Sequence, residues 1–128
     1  DKDIIFKGVD GTSAITALTL DMSEAGAATF NNDVTAFSDE RLKTEVETIN
    51  DALNKVCQMR GVSFKRTDND GRTSVGVIAQ EIEKVLPEVV REDSSEDKIK
   101  SVAYGNIVGV LIEAIKELKN EIEELKKE

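Results

Sequence analysis

The C-terminal segment, residues 104–128, has the most regular apolar pattern in the chain and limits the fold most strongly. Its apolar residues recur at alternating spacings of four and three: Tyr104, Val108, Leu111, Ile115, Leu118, Ile122 and Leu125. This heptad spacing is typical of a helix that packs against copies of itself in a coiled coil. A helix of this length extends roughly 35 Å. The segment therefore predicts a long helix whose apolar seam needs a partner.

The heptads leave the number of strands in this coiled coil open. Val108, Ile115 and Ile122 occupy position a, and position d is mostly leucine. β-Branched residues at a with Leu at d favour two strands in parallel coiled coils. Glu121 at position g and Lys126 at the following position e form a pair that favours parallel helices in register.

Residues 1–37 have the character of β-structure. Leu18, Leu20 and Met22 alternate with polar neighbours, which is the period of a half-exposed strand. A second short run, residues 33–37, leads into Ser38. Two interpretations remain open: a small hairpin or flexible leader, or the end of a β-rich fibre shaft.

From Ser38 onward the spacing becomes helical. One apolar stripe consists of Leu42, Val46, Ile49, Leu53 and Val56. It predicts a helix with Ser38 or Asp39 as N-cap and Gly61 as its C-terminal stop. A β-hairpin around the polar turn 67–71 is predicted for residues 62–78. A short helix is predicted for residues 79–86, before Pro87. A short strand is predicted for residues 99–102. The expected fold is α+β and mostly helical.

The composition narrows the possible chemistry. The net charge of -9 disfavours nucleic acid and membranes as partners, because an acidic surface repels phosphates. The chain has no histidine, which excludes His-containing catalytic triads and His-based metal sites. No carboxylate cluster stands out from the acidic background, so we expect no metal and no cofactor. Proton transfer would have to use a carboxylate, a lysine such as Lys43, or Tyr104.

Three blocks in a fixed order, followed by the heptads, resemble the peptidase S74 family, the intramolecular chaperone domain of phage endosialidases, tail spikes and neck appendages. The blocks are residues 38–43 (SDERLK), residues 76–82 (GVIAQEI) with 86–90 (LPEVV), and residues 102–104 (VAY) with 111–118 (LIEAIKEL). The resemblance implies a homotrimer that templates an upstream β-structured shaft of the same polypeptide and is then released by autoproteolysis. It implies a parallel trimeric coiled coil and three segments: the shaft end or leader 1–37, the chaperone and protease core 38–103, and the coiled-coil helix 104–128.

The resemblance also implies a catalytic site. Ser38 would be the nucleophile and Lys43 the general base, with Asp39 and Arg41 as auxiliary residues and cleavage at a bond flanking Ser38. It implies action in the host cytoplasm during phage assembly, on the precursor of a virion tail protein. The spacing alone does not support the dyad, because residues five apart on an ideal helix point about 140° away from each other. The dyad therefore requires Ser38 outside helical geometry, or Lys43 from a neighbouring chain.

Three other interpretations fit the same residues. Ser38 can be an ordinary N-cap and Lys43 a solvated lysine. The chain can be a permanent trimerisation module of a fibre protein, with the same helices and seam but no cleavage. It can also be a helical adaptor whose apolar stripes bind another protein, in which case the chain is a monomer or part of a heterocomplex.

Overall fold

The computed structural model describes residues 2–68 and 70–128. In that part of the chain the strands are β1 (Ile4–Asp10), β2 (Ser13–Asp21), β3 (Ala27–Phe30), β4 (Val62–Lys65), β5 (Thr73–Gly76), β6 (Val90–Glu92) and β7 (Lys100–Val102). The α-helices are α1 (Ala52–Gln58), α2 (Ala79–Glu83) and α3 (Val108–Leu125), and short 3₁₀ helices cover Glu40–Leu42, Pro87–Val89 and Tyr104–Ile107. The strands form three small sheets, in the orders β1-β2-β3, β4-β5 and β6-β7.

The chain divides into two compact units. The first, here called the sheet unit, comprises residues 1–44 and 65–74, and the second, the helix unit, comprises residues 45–64 and 75–128. In the sheet unit, β2 pairs antiparallel with both β1 and β3. A bulge between Phe6 and Lys7 shifts the β1–β2 register. Gly11 makes the tight turn between these strands with a φ of 60°, a conformation that favours glycine.

The helix unit has two small apolar cores. Ala52 of α1 packs with Val110 and Ala114 of α3, and Ile82 of α2 packs with Val89 and Val90. Three half-buried side chains contact both cores: Met59, Leu86 and Ile107. The two cores are thus joined into one folded unit.

A carboxylate from α3 caps the N-terminus of α1. The Glu117 side chain accepts hydrogen bonds from the backbone N–H groups of Ala52 and Leu53, at 3.0 and 2.7 Å. Asp51, at the N-cap of α1, makes no capping hydrogen bond with its own side chain. Glu117 therefore satisfies backbone donors that a helix start leaves without partners.

The prediction of a mostly helical fold is wrong. The chain is 32% helical, with one long helix at its C-terminus. The helix expected from Ser38 to Gly61 is replaced by a 3₁₀ turn at Glu40–Leu42, an extended stretch, and the short α1. Glu45 and Asp51 have φ values of 53° and 56°, which interrupt helical geometry at two points. Tertiary contacts, such as the Glu117 cap, override the local apolar period here.

Several smaller elements agree with expectation. β2 covers most of the predicted strand, β4 and β5 form a two-stranded sheet, and α2 and β7 lie within the segments predicted for them. The C-terminal helix is also present, although α3 begins at Val108 after a 3₁₀ turn that contains Tyr104. Residues 33–37 form no strand, and β1, β3 and β6 were not predicted.

Within the described residues, no helix combines the length and the apolar character that crossing a membrane requires.

Candidate active site

A 3₁₀ turn reverses the chain between Ser38 and Lys43. The backbone N–H of Leu42 donates to the carbonyl of Asp39 at 3.1 Å, and that of Lys43 donates to Glu40 at 3.0 Å. Asp39 and Lys43, on either side of the turn, have extended backbone. Ser38 therefore lies outside helical geometry, the arrangement that a dyad within one chain requires.

The structure brings Ser38 and Lys43 together. Lys43 Nζ donates to Ser38 Oγ at 2.7 Å and to the Ser38 carbonyl oxygen at 2.8 Å. Both residues belong to the sheet unit, and this contact lies within the single chain. A serine nucleophile and a lysine base would need a distance of this length between hydroxyl and amine.

Both members of the pair are exposed to solvent in the single chain. Two apolar neighbours, Phe37 and Leu42, are exposed as well. They line an open depression of about 390 Å³ together with Asp39 and Arg41. The depression beside the turn is thus uncovered and is lined by two apolar side chains and one ion pair.

Asp39 and Arg41 hold the turn rather than contact the serine. Asp39 Oδ1 accepts from the backbone N–H of Arg41 at 2.9 Å, and the guanidinium donates to both carboxylate oxygens at 2.9 and 2.8 Å. The side-chain hydrogen bond from Arg41 is the main cause of a lowered pKa of Asp39, with the backbone bond second. The same pairing raises the pKa of Arg41. These hydrogen bonds join the two residues to each other within the turn.

The described residues contain no group of three or more Cys, Asp or Glu side chains arranged to hold a metal ion. The geometry of the site is that of a serine–lysine pair on a capped turn.

Residues 38–91 match the Peptidase_S74 family model, described as "Chaperone of endosialidase". Residues 38–91 belong to this family. The match begins at the serine of the pair, and the family predicted from the sequence motifs is confirmed.

Curated proteins similar to this chain are long tail fiber proteins Gp37. The protein from Enterobacteria phage K3 is 38% identical in an alignment of 94 positions that covers 69% of this chain and 8% of the relative. That from Enterobacteria phage T2 is also 38% identical over 94 positions and is covered to 7%. The Gp37 of Salmonella phage S16 is 31% identical in an alignment of 112 positions that covers 80% of this chain and 15% of the relative. The chain thus spans a small part of each relative.

A solved structure titled "Crystal structure of a novel intramolecular chaperon" has a similar fold. The TM-score is 0.51 at 22% sequence identity, and the match covers 66% of this chain and 99% of that one. At this identity the likeness concerns the fold alone.

The apolar seam of the C-terminal helix faces solvent in the single chain. All seven seam side chains are exposed, whereas Val110 and Ala114, on another face of α3, are buried. The helix therefore has one face that packs within the chain and a second apolar face that is uncovered. The Tyr104 hydroxyl accepts from the backbone N–H of Val77 at 3.2 Å, so this seam residue also has an intrachain contact.

Sequence reasoning missed two supporting contacts. Glu117 caps α1 from 65 residues away, and its heptad position carries no signal of that contact. Gly76 lies so close to Tyr104 that an added Cβ would be 2.5 Å from the hydroxyl oxygen. Gly76 does fall in the second family block, but that block alone does not say what the glycine approaches.

Proposed function

We propose that this chain is the intramolecular chaperone of a phage tail-fibre protein and that it releases itself by cleavage beside Ser38. It trimerises, templates the β-structured shaft upstream in the same polypeptide, and then cuts a bond flanking Ser38. The observation that carries the proposal is the 2.7 Å contact between Lys43 Nζ and Ser38 Oγ in a segment that matches Peptidase_S74. The tail-fibre relatives support the kind of protein to which it belongs.

The proposed chemistry is a single turnover of serine attack. Lys43 Nζ, in its neutral form, takes the proton of Ser38 Oγ while that oxygen attacks the scissile carbonyl carbon. Lys43 then gives this proton to the departing backbone nitrogen as the peptide bond breaks. Water hydrolyses the resulting ester and frees the serine. Asp39 and Arg41 keep the turn in shape, so that the hydroxyl and the amine remain within reach.

Trimer assembly is the proposed trigger. A lysine amine is a base only when neutral, and burial favours its neutral form. Both members of the pair are exposed in the single chain, beside exposed Phe37 and Leu42. A second copy or the folded shaft that covers these apolar residues would remove water from Lys43. Cleavage would then follow correct assembly.

The exposed seam of α3 supports the proposed homotrimer. Interleaved β-folds depend on non-local contacts, so chains must be brought together before any contact stabilises them. A locally encoded coiled coil forms early and raises the effective concentration of the attached segments. The proposed segments are the shaft end at residues 1–37, the chaperone and protease core at 38–103, and the coiled-coil helix at 104–128. Assembly would take place in the host cytoplasm, and the mature fibre would be part of the virion.

A permanent trimerisation module is the second candidate. The observation that favours it is the exposure of both Ser38 and Lys43 in the single chain, because exposure to water favours the charged form of an amine. This candidate keeps the seam and the trimer and lacks the cleavage step.

The deciding experiment measures the mass of the chain joined to its upstream shaft. The parent is expected to release a fragment that begins at or just after Ser38, while Ser38→Ala and Lys43→Ala remain full length. Glu40→Ala is the matched control, because Glu40 lies exposed in the same turn and should cleave like the parent. Full-length trimers with a folded shaft in the parent itself would select the permanent trimerisation module.

A further inference from the structure

Tyr104 makes contacts within the chain at a position that the heptad pattern assigns to the seam. Its hydroxyl accepts a hydrogen bond from the backbone N–H of Val77 at 3.2 Å. Its ring lies over Gly76, where an added Cβ would be 2.5 Å from the hydroxyl oxygen and 3.4 Å from the ring carbon that bears it. The residue is nevertheless 54% exposed. Tyr104 therefore has one side packed within the chain and another side in solvent.

The backbone around Tyr104 explains this double placement. Residues Tyr104–Ile107 form a 3₁₀ turn that runs directly into α3 at Val108. A 3₁₀ helix has about three residues per turn where an α-helix has about 3.6, so Tyr104 is displaced from the line of the other seam residues. It lies at the edge of the seam, where a tyrosine can bury one side of its ring and still pair its hydroxyl.

Val77 connects this contact to the interior of the helix unit. Its side chain packs against the core that contains Ile82. Gly76, the residue before it, ends β5. The same added Cβ on Gly76 would lie 3.4 Å from a ring carbon of Phe64 in β4. The Tyr104 hydroxyl thus holds the backbone at the point where the β4-β5 sheet joins this core.

Water weakens this hydrogen bond in the single chain. Tyr104 is more than half exposed, and an exposed hydrogen bond exchanges with bonds to solvent, so its net contribution is small. The same bond is stronger, and its loss is more costly, where water is excluded. Copies that meet along the seam of α3 would cover the exposed side of the ring. Assembly should therefore tighten the hold of Tyr104 on Val77.

We propose that Tyr104 couples assembly along the seam to the order of the sheet base, defined here as Phe64, Gly76 and Val77. In the single chain the hydrogen bond to Val77 opens readily, and in the assembled protein it stays closed. Because coupling of this kind is reciprocal, the closed bond also favours assembly. This inference rests on the proposed trimerisation and adds to it a conformational coupling within each chain.

Amide hydrogen exchange at Val77 tests the coupling, with native mass to determine the state of assembly. The reference is the Leu86 amide, which donates to the Ile82 carbonyl at 2.7 Å and does not contact Tyr104. Relative to Leu86, the Val77 amide of the parent should exchange about two- to ten-fold more slowly in the assembled protein than in the dilute single chain, the range that one hydrogen bond contributes. Tyr104→Phe keeps the ring without the hydroxyl, and this slowing should disappear.

Two further variants separate the hydroxyl from the seam. Leu125→Ala weakens the far end of the seam and leaves Tyr104 in place. It should lower the assembled fraction without changing the slowing at Val77 in the protein that does assemble. Gly76→Ala keeps the hydroxyl but pushes it away from Val77, and it should abolish the slowing as Tyr104→Phe does.

The outcomes separate failure of this inference from failure of the proposed trimer. An assembled parent in which Val77 exchanges as it does in the single chain would overturn the coupling and leave the seam standing. Assembled Tyr104→Phe that retains the slowing of the parent would overturn it as well. A parent that stays monomeric at every concentration would overturn the trimer and this inference together, since the hydrogen bond would have no assembly to respond to.

Discussion

The two units place their apolar side chains in opposite ways. In the helix unit, Ala52, Ile82, Val110 and other core residues are almost fully buried within one chain. In the sheet unit the large apolar side chains of β1 and β3 are about half exposed or more. The helix unit has a core of its own, and the sheet unit has apolar surface without a core.

This difference separates stability within a chain from stability between chains. Burial of apolar surface is the main favourable contribution to folding, and only the helix unit obtains much of it alone. The sheet unit is ordered in the single chain by strand pairing and by short-range polar contacts, such as that of Asp21 with Ser23 and that of Asp39 with Arg41. We therefore expect substitutions in the two units to have different consequences.

The largest expected effect is that of a cavity in the helix unit. Ile82 is 0% exposed, and Ile82→Ala should lower the free energy of unfolding by about 2–5 kcal/mol. Val9→Ala in the sheet unit, at a residue 72% exposed, should change it by less than about 0.5 kcal/mol. Urea unfolding of the dilute single chain measures both. Equal losses of stability in the two variants would mean that the sheet unit also has a buried core, and would contradict the difference between the two units.

A smaller loss is expected where backbone and ring approach each other. Gly76→Ala would place a Cβ 2.5 Å from the Tyr104 hydroxyl oxygen and 3.4 Å from a Phe64 ring carbon. The tyrosine must move and give up its bond to Val77, so unfolding should become easier by about 1–3 kcal/mol. Gly105→Ala is the control, because no atom lies within 4 Å of its added Cβ. Thermal unfolding distinguishes them, and equal stability of the two variants would contradict the close approach.

The cap on α1 ranks next. Glu117→Ala removes the acceptor of the Ala52 and Leu53 N–H groups and should cost about 1 kcal/mol. Glu124→Ala, exposed on the same helix, should be close to neutral. Amide hydrogen exchange should show faster exchange at the start of α1 in the first variant. Unchanged protection there would show that the cap is dispensable.

These contacts explain which parts of the fold the sequence could predict. The C-terminal helix, the β4-β5 sheet and α2 follow from local period and turn residues, which act over a few positions. The helix expected over residues 38–61 fails because Glu117, far along the chain, caps α1 at Ala52, and because Glu45 and Asp51 adopt left-handed backbone. β1 and β3 have no strict alternation, and their pairing with β2 defines them.

The site was easier to predict from motif than from period. The SDERLK block pointed to Ser38 and Lys43, and the structure brings their side chains within hydrogen-bond distance. Helical spacing alone would have separated them, because it assumes that the turn is a continuous α-helix. An Asp39 cap is compatible with both a 3₁₀ turn and an α-helix, so the local sequence did not distinguish the two.

The hydrogen bonds between Arg41 and Asp39 in the sheet unit can be tested by measuring self-cleavage. Arg41→Ala removes both guanidinium contacts to Asp39, and self-cleavage of the chain joined to its shaft should slow by about five-fold, in keeping with an exposed ion pair. The pKa of Asp39 is lowered by this pairing, so the carboxylate stays ionised from neutral pH down to the ordinary pKa of an aspartate. The ion pair with Arg41 is lost only below that pH. The slowing should therefore be the same at every pH from mildly acidic to neutral. Unfolding of the helix unit should not change, and a loss there would contradict the separation of the two units.

The smallest expected effect lies where the helix unit begins. Glu45 has a φ of 53°, and this left-handed conformation costs a residue with a Cβ roughly 1–2 kcal/mol. Glycine removes that cost but adds freedom to the unfolded chain, worth about 0.4–1 kcal/mol. Glu45→Gly should therefore stabilise the chain by at most about 1.5 kcal/mol, with a central value below about 1 kcal/mol.

Glu47→Gly is the matched control, because Glu47 is not among the described residues with positive φ. It should lower stability by about 0.5–1 kcal/mol, since glycine there loses freedom without relieving strain. Urea unfolding of both variants measures the difference. If Glu45→Gly destabilised the chain as much as Glu47→Gly, the left-handed residue would not be strained. The extended stretch before α1 would then owe its shape to local preference rather than to contacts of the folded helix unit.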